Sequence, residues 1–134
     1  MRMILMMIVS VSLLLANTYT DEKAGLIWQD DVASKNVKGY WDDAVEYCDN
    51  LRLNKQKDWR LPTVRELYSL IDLNANDPAA IEALNNVASG DYWSSSICVS
   101  DLADAWLVYF EDGVVNHYSK TRKRHIRCVR DEVK

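Results

Sequence analysis

Ala105-Trp106-Leu107-Val108-Tyr109-Phe110, then Glu111-Asp112-Gly113, then Val114-Val115-Asn116-His117-Tyr118 is the stretch whose reading decides the fold class. Two runs rich in β-branched and aromatic residues flank an Asp-Gly pair. Glycine accepts the positive φ that tight hairpin turns need, so the stretch predicts two antiparallel strands. Upstream the period is 3.6 rather than 2. Trp41, Ala44, Val45, Cys48 and Leu51 recur at i, i+3, i+4 and i+7, the stripe of an amphipathic helix, with Asp42 and Asp43 facing the positive end of its dipole. Thr63-Val64-Arg65-Glu66 reads as a capping box that opens a second helix, with Val64, Leu67, Tyr68 and Ile71 as its buried face and Pro62 discouraging helix before it. Gly25 to Trp28 reads as an opening strand, Pro78 to Val87 as a shorter third helix, the residues after it as a long loop, and His125 to Arg130 as the last strand. That order predicts an α+β domain with two main helices packed on a small, mostly antiparallel sheet.

The chain has 134 residues, 49% of them hydrophobic, and a formal net charge of -4, which fits one globular domain and excludes a disordered tail or a strongly basic nucleic-acid binder. Residues 3–16, MILMMIVSVSLLLA, are uncharged and apolar and follow Arg2. A bilayer span takes about 20 such residues, so the run is short for an anchor. With small polar residues after it, the layout is that of a secretory signal peptide over residues 1–20, cut between Ala16 and Thr20. Residues 21–134 are then the mature domain. The expectation is an exported protein, periplasmic or extracellular, with no transmembrane anchor after cleavage.

Export changes how the cysteines read. Cys48, Cys98 and Cys128 are an odd number, so one intramolecular bridge leaves one thiol over. No pair has the C-x-x-C spacing of a thioredoxin-like redox site or a zinc knuckle. The pairing favoured is Cys48 with Cys128, from the first main helix to the last strand. Closing that loop of about 80 residues stabilises by roughly 4–5 kcal/mol in the chain-entropy model. Cys98 then stays free, either a small apolar filler or a thiol open to a partner.

Six stretches in order carry a resemblance: Gly25-Leu26-Ile27-Trp28-Gln29; Trp41 through Leu51; Asp58-Trp59-Arg60-Leu61-Pro62-Thr63 with Glu66-Leu67; Tyr92-Trp93-Ser94-Ser95; Phe110-Glu111-Asp112-Gly113; and Arg127-Cys128-Val129-Arg130. Together they resemble the Lcl C-terminal domain family, a bacterial domain of unknown function named after a collagen-like adhesin. The resemblance covers about residues 25–130. It implies a C-type-lectin-like fold in exported or surface proteins, and the same helix-to-strand disulfide. Trp-Arg-Leu-Pro-Thr and Arg-Cys-Val-Arg are also similar to pieces of the formylglycine-generating enzymes, but the Gly-Gly-Ser-Trp stretch of that family is missing and its paired active-site cysteines have no counterpart here. The Glu-Pro-Asn or Gln-Pro-Asp triplet of calcium-dependent sugar-binding lectins does not occur either.

Physically, the shared residues read mostly as structure. Trp28, Trp59, Trp93 and Trp106 each bury about 150–250 Å² when packed inside, and Arg60 beside Trp59 suits an ion pair or a stack on an indole. Ser94-Ser95-Ser96 lacks the Gly-x-Ser-x-Gly elbow of a hydrolase nucleophile. His117 and His125 read as surface or partly packed residues rather than a metal pair. Asp72-x-Asn74-x-Asn76 begins like a calcium loop and then has Asp77 where the turn needs Gly and Ala83 where the bidentate Glu belongs.

Charge is the least ordinary feature. Residues 21–119 hold 8 Lys and Arg against 18 acids, whereas residues 120–134 hold 7 against 2. Residues 66–119 contain nine acids and no Lys or Arg at all. The cations begin with Lys120, Arg122, Lys123 and Arg124, next to His125, in a predicted loop before the last strand. Such a cluster can hold sulfate, phosphate or carboxylate groups, or simply be a solvated turn. The leading expectation is therefore a non-enzymatic binding module for an acidic or sulfated extracellular glycan or another envelope component, without cofactor, metal or nucleic acid. A structural role, docking an envelope partner through the acidic face or Cys98, is the alternative. A formylglycine-type oxidase needs two neighbouring reactive thiols, which a Cys48–Cys128 bridge removes.

Overall fold

The structure, a computed structural model, describes residues 17–132. Strand β1 (Thr18–Asp21) turns through Gly25, at φ +69°, into β2 (Leu26–Gln29). A single-turn helix α1 (Ala33–Asn36) and the two-residue β3 (Lys38–Gly39) lead to the ten-residue helix α2 (Trp41–Asn50). Helix α3 (Val64–Tyr68) follows, then β4 (Asp91–Ile97), β5 (Asp104–Tyr109), β6 (Val115–Ser119), β7 (Arg124–His125) and β8 (Val129–Asp131). The fold is α+β, with two small sheets in the orders β1-β2-β8 and β3-β7-β4-β5-β6. All pairings are antiparallel except the single contact of β4 with β7, Tyr92 against His125.

Strand alternation builds the core on both faces of the larger sheet. Tyr92 pairs with Val108 and Trp93 with Leu107 in the β4–β5 register. Successive side chains of a strand point to opposite faces. Tyr92 and Val108 accordingly join Leu26, Trp28, Leu67, Leu70 and Phe110 in one apolar cluster, whereas Trp93 and Leu107 join Ala44, Cys48, Trp59, Leu61 and Ile126 in the other. Helix α2 presents Ala44 and Cys48 to the second cluster, and Cys48 is bonded to Cys128 at an S–S distance of 2.09 Å. The bridge ties α2 to the segment between β7 and β8.

Several elements differ from the sequence reading. The second helix has its full capping box, but it runs only from Val64 to Tyr68, so Ile71 packs from the turn beyond it. No third helix forms over Pro78–Val87. There the backbone groups bond outward: Ala79 N–H to Phe110 O, Ile81 N–H to Leu70 O, and the amides of Asn85 and Asn86 to the Asp30 carboxylate. The long loop contains β4, the strand at the centre of the larger sheet. The last strand is two strands in different sheets, because Arg124–His125 pairs with β3 and β4 while Val129–Asp131 pairs with β2. Residues 1–16 of the expected leader lie outside the described residues, but Thr18–Asp21 is β1 and belongs to the fold.

Trp28, Trp59 and Trp93 are buried, whereas Trp106 lies half-buried against His117. Arg60 forms its pair at the domain's edge: it donates two hydrogen bonds to Glu66, at 2.7 and 2.8 Å, and a third to Asp131 at 3.0 Å. Glu66 also accepts from the Thr63 N–H at 2.9 Å, so one carboxylate closes the capping box and holds Arg60. Bidentate Arg–carboxylate bonds are the stronger kind, and they keep the Glu66 carboxyl below its ordinary value.

Candidate functional site

The five residues of the predicted basic site are divided between surface and interior. Residues 120–123 form the turn between β6 and β7. Lys120 is engaged: its ammonium donates to Leu102 O at 2.9 Å and lies 4.3 Å from the centre of the Trp41 ring. Arg122 and Lys123 are exposed, with the Lys123 ammonium 5.5 Å from the centre of the Tyr40 ring. Arg124 is not a free cation. It is 5% exposed, ion-paired with Asp91, and its guanidinium lies 5.1 Å from both the Trp93 and the Tyr118 rings. His125 is also internal, stacked on Tyr92 with ring centres 5.0 Å apart. Strand alternation sends the two to opposite faces, and both faces of the larger sheet are covered: Arg124 lies against Trp93 of one cluster and His125 against Tyr92 of the other.

What remains at the surface is a shallow cleft lined by Tyr40, Asp91, Thr121, Arg122, Lys123 and Arg124. Asp91 is balanced by Arg124, so the uncompensated charge is that of Arg122 and Lys123. Pairing of β3 with β7 sets Lys38 opposite His125. Burial of the His125 ring lowers its pKa first, and Lys38 lowers it further, against an opposing effect of Asp91. Tyr40, Lys38 and Asp91 come from distant parts of the chain and no local sequence signal joins them to the loop. The arrangement can hold an anionic group by the charge of Arg122 and Lys123, with the Tyr40 ring face beside the Lys123 ammonium, in water and therefore with strong dependence on salt.

The other candidates resolve into structure. His117 on β6 pairs through Nδ1 with the Asp104 carboxylate, an acceptor, at 2.9 Å, and β4 and β5 lie between it and His125 on β7. Ser94 is buried and donates to Trp106 O, and the Ser96 hydroxyl accepts from the Val64 N–H at the start of α3. The Asp72 carboxylate accepts from the Asn74 N–H in a local turn. Among the described residues no group of three His, Cys, Asp or Glu side chains is arranged to hold a metal, and no helix is long and apolar enough to cross a membrane. Cys98 is 3% exposed, with its sulfur 3.3 Å from the Ser100 hydroxyl.

One interior group was invisible in the sequence. Arg127, fully buried, donates to Gln29 O, Asn86 O and the Asp30 carboxylate, and lies over the Tyr92 ring. Asp30, 1% exposed, also accepts the Asn85 and Asn86 amides. Counted by composition, Arg127 is one more cation of the basic C-terminal segment; by position it is part of the core.

No curated protein matches the chain. The model of the Lcl C-terminal domain matches residues 17–130. That span opens one residue ahead of β1, ends within β8 and takes in both sheets, the disulfide and the Asp30–Arg127 group. The chain belongs to the Lcl C-terminal domain family.

Proposed function

We propose that this chain is an exported, non-enzymatic binding module of C-type-lectin-like build that recognises an acidic or sulfated extracellular glycan through the turn between β6 and β7. The observation that carries the reading is the pair of exposed cations Arg122 and Lys123 beside Tyr40, on a protein that is otherwise acidic. Arg124, at the floor of the cleft and paired with Asp91, and the internal His125 hold the turn in place. Export is read from residues 3–16, and a Cys48–Cys128 bridge suits an oxidising compartment. A cut between Ala16 and Thr18 leaves β1 whole, whereas a cut at Thr20 removes most of it. Docking of an envelope protein on the acidic remainder is the second reading. Its covalent form through Cys98 has little support, since that thiol is covered.

The test is a panel of neutral, carboxylated and sulfated glycans presented to the exported, processed protein, with salt and EDTA varied. Binding to acidic members is expected to fade with salt and to ignore EDTA. Arg122→Ser with Lys123→Ser is expected to weaken it by tenfold or more without moving the unfolding midpoint. Equal binding by wild type and the double variant would remove the turn from the mechanism.

A further inference from the structure

A second cleft lies on the smaller sheet. In the three-stranded register Thr20 stands opposite Ile27, and Ile27 opposite Arg130. The alternate residues of these strands, Tyr19, Leu26, Trp28 and Val129, belong to the core. The face carrying Thr20, Ile27 and Arg130, with Thr18 two residues along β1, turns the other way, toward the segment 53–59. Between them is a cleft of about 340 Å³ closed at one side by Trp59.

Arg130 is the unusual member. It is 6% exposed, yet it has no carboxylate partner among the described residues. Its Nε donates to Lys57 O at 3.0 Å and its guanidinium lies 5.9 Å from the Trp59 ring centre. Its two Nη groups have no protein acceptor among the described residues and they are not sealed from solvent. Arginine presents its donors as a rigid fork that matches a carboxylate bidentately, and here the fork's open end is left to solvent on a side chain otherwise held in place by Lys57 and Trp59. The lining holds two cations, Lys55 and Arg130, and no acid. Beside the fork stand the hydroxyl-bearing Thr18 and Thr20 and the apolar Ile27 and Trp59. Hydroxyl partners next to a small apolar surface suit a pyranose ring, which has polar edges and C–H faces.

We propose that this cleft binds a sugar acid: Arg130 takes the carboxylate through its Nη groups, and the threonines take ring hydroxyls over Ile27 and the edge of Trp59. The site shares no residue with the turn between β6 and β7, so it stands or falls independently of that turn.

The experiment is a two-dimensional NMR titration of residues 17–134, which keep β1 and its threonines, with three probes: glucuronate, glucose and N-acetylalanine. Glucuronate is expected to shift Thr20, Ile27, the Trp59 indole N–H and Arg130, and to bind at least tenfold more tightly than either other probe. Arg130→Gln is expected to reduce that affinity at least tenfold. Because Arg130 also braces Lys57 and Trp59, Thr20→Val serves as the second variant: it keeps a β-branched residue in the strand, removes one hydroxyl, and is expected to weaken glucuronate severalfold. Equal binding of N-acetylalanine would overturn the sugar assignment. Shifts confined to Arg122, Lys123 and Tyr40 would overturn the cleft and place the acid on the turn, and no shifts at all would overturn it outright.

Discussion

Arg124 and His125 show how a residue's neighbours decide what its charge does. Both belong to a run of cations that in sequence reads as one exposed cluster, and both are interior. The partner that draws Arg124 inward is Asp91, 33 residues upstream, and the ring that covers His125 is Tyr92 beside it. Neither is legible from the loop itself, because long-range pairing selects them. The consequence is a pH dependence whose sign can be worked out. Burial and Lys38 both disfavour the imidazolium, so the folded pKa of His125 lies below the ordinary value of about 6.5. As pH falls, the unfolded chain takes the proton first. The stability contributed by the neutral ring is therefore complete above about pH 6.5 and is lost as pH drops from there through the folded pKa. His125→Phe keeps an aromatic ring on Tyr92 and removes the titration. Urea unfolding at pH 8, 7, 6 and 5 is expected to show a shallower loss of stability in the variant than in wild type. His117 is present in both, so the difference isolates His125. Parallel curves would mean that the ring takes up its proton freely in the fold.

Elements were legible in proportion to how local their determinants are. The hairpin of β5 and β6 turns where Asp112-Gly113 predicts, with Gly113 N–H on Tyr109 O and Tyr109 N–H on Val114 O, both at 2.8 Å. Gly113 has φ +85°, and a Cβ there would meet Ile71 Cγ2 at 2.9 Å and Leu73 Cδ2 at 3.0 Å. Gly25 has φ +69° and open space around the same position. Gly25→Ala is thus expected to cost about 1 kcal/mol from the left-handed backbone alone. Gly113→Ala adds crowding to the same backbone term and is expected to cost about 2–3 kcal/mol. Thermal or urea unfolding of the two variants checks the order, and equal losses would mean that the Ile71–Leu73 turn yields without strain. The capping box of α3 was equally readable, being contained in four residues. Strand β4 was not. Its Tyr92, Trp93 and Ser94 are buried in succession, so it lacks the alternation that marks a strand with one wet face, as expected for a central strand covered on both sides. The region 78–87 has helix-compatible composition, but its amides are drawn to Asp30, Leu70 and Phe110, and tertiary bonds override local propensity. In the candidate site, the cations themselves were visible beforehand; Tyr40, Lys38 and the Arg130 cleft needed strand register to bring them together.

At the scale of the whole molecule, two devices join parts that the sheets alone leave separate. The Cys48–Cys128 bond fixes α2 to the crossing from β7 to β8. The Asp30–Arg127 pair does the same without a covalent bond. Asp30 follows β2 of the smaller sheet, Arg127 lies between β7 of one sheet and β8 of the other, and Asn86 brings in the 78–87 segment. Tyr92 of the larger sheet extends the group, its hydroxyl donating to Ser34 O at 2.6 Å and accepting from Ala88 N–H at 3.0 Å. Replacing a buried ion pair by apolar residues can be neutral, but removing one partner strands the other charge in a low-dielectric interior. Asp30→Ala leaves the buried Arg127 without its counter-charge and frees two half-covered amides, so it is expected to destabilise by about 3–5 kcal/mol. Arg127→Met with Asp30→Ala removes the charge together with its partner, and the double variant is expected to lose less than the two single losses added together. Urea unfolding of the four proteins of this cycle measures the coupling directly. Additive losses would show that Asp30 and Arg127 act separately, and that the amides of Asn85 and Asn86, rather than the ion pair, are what Asp30 is there to hold.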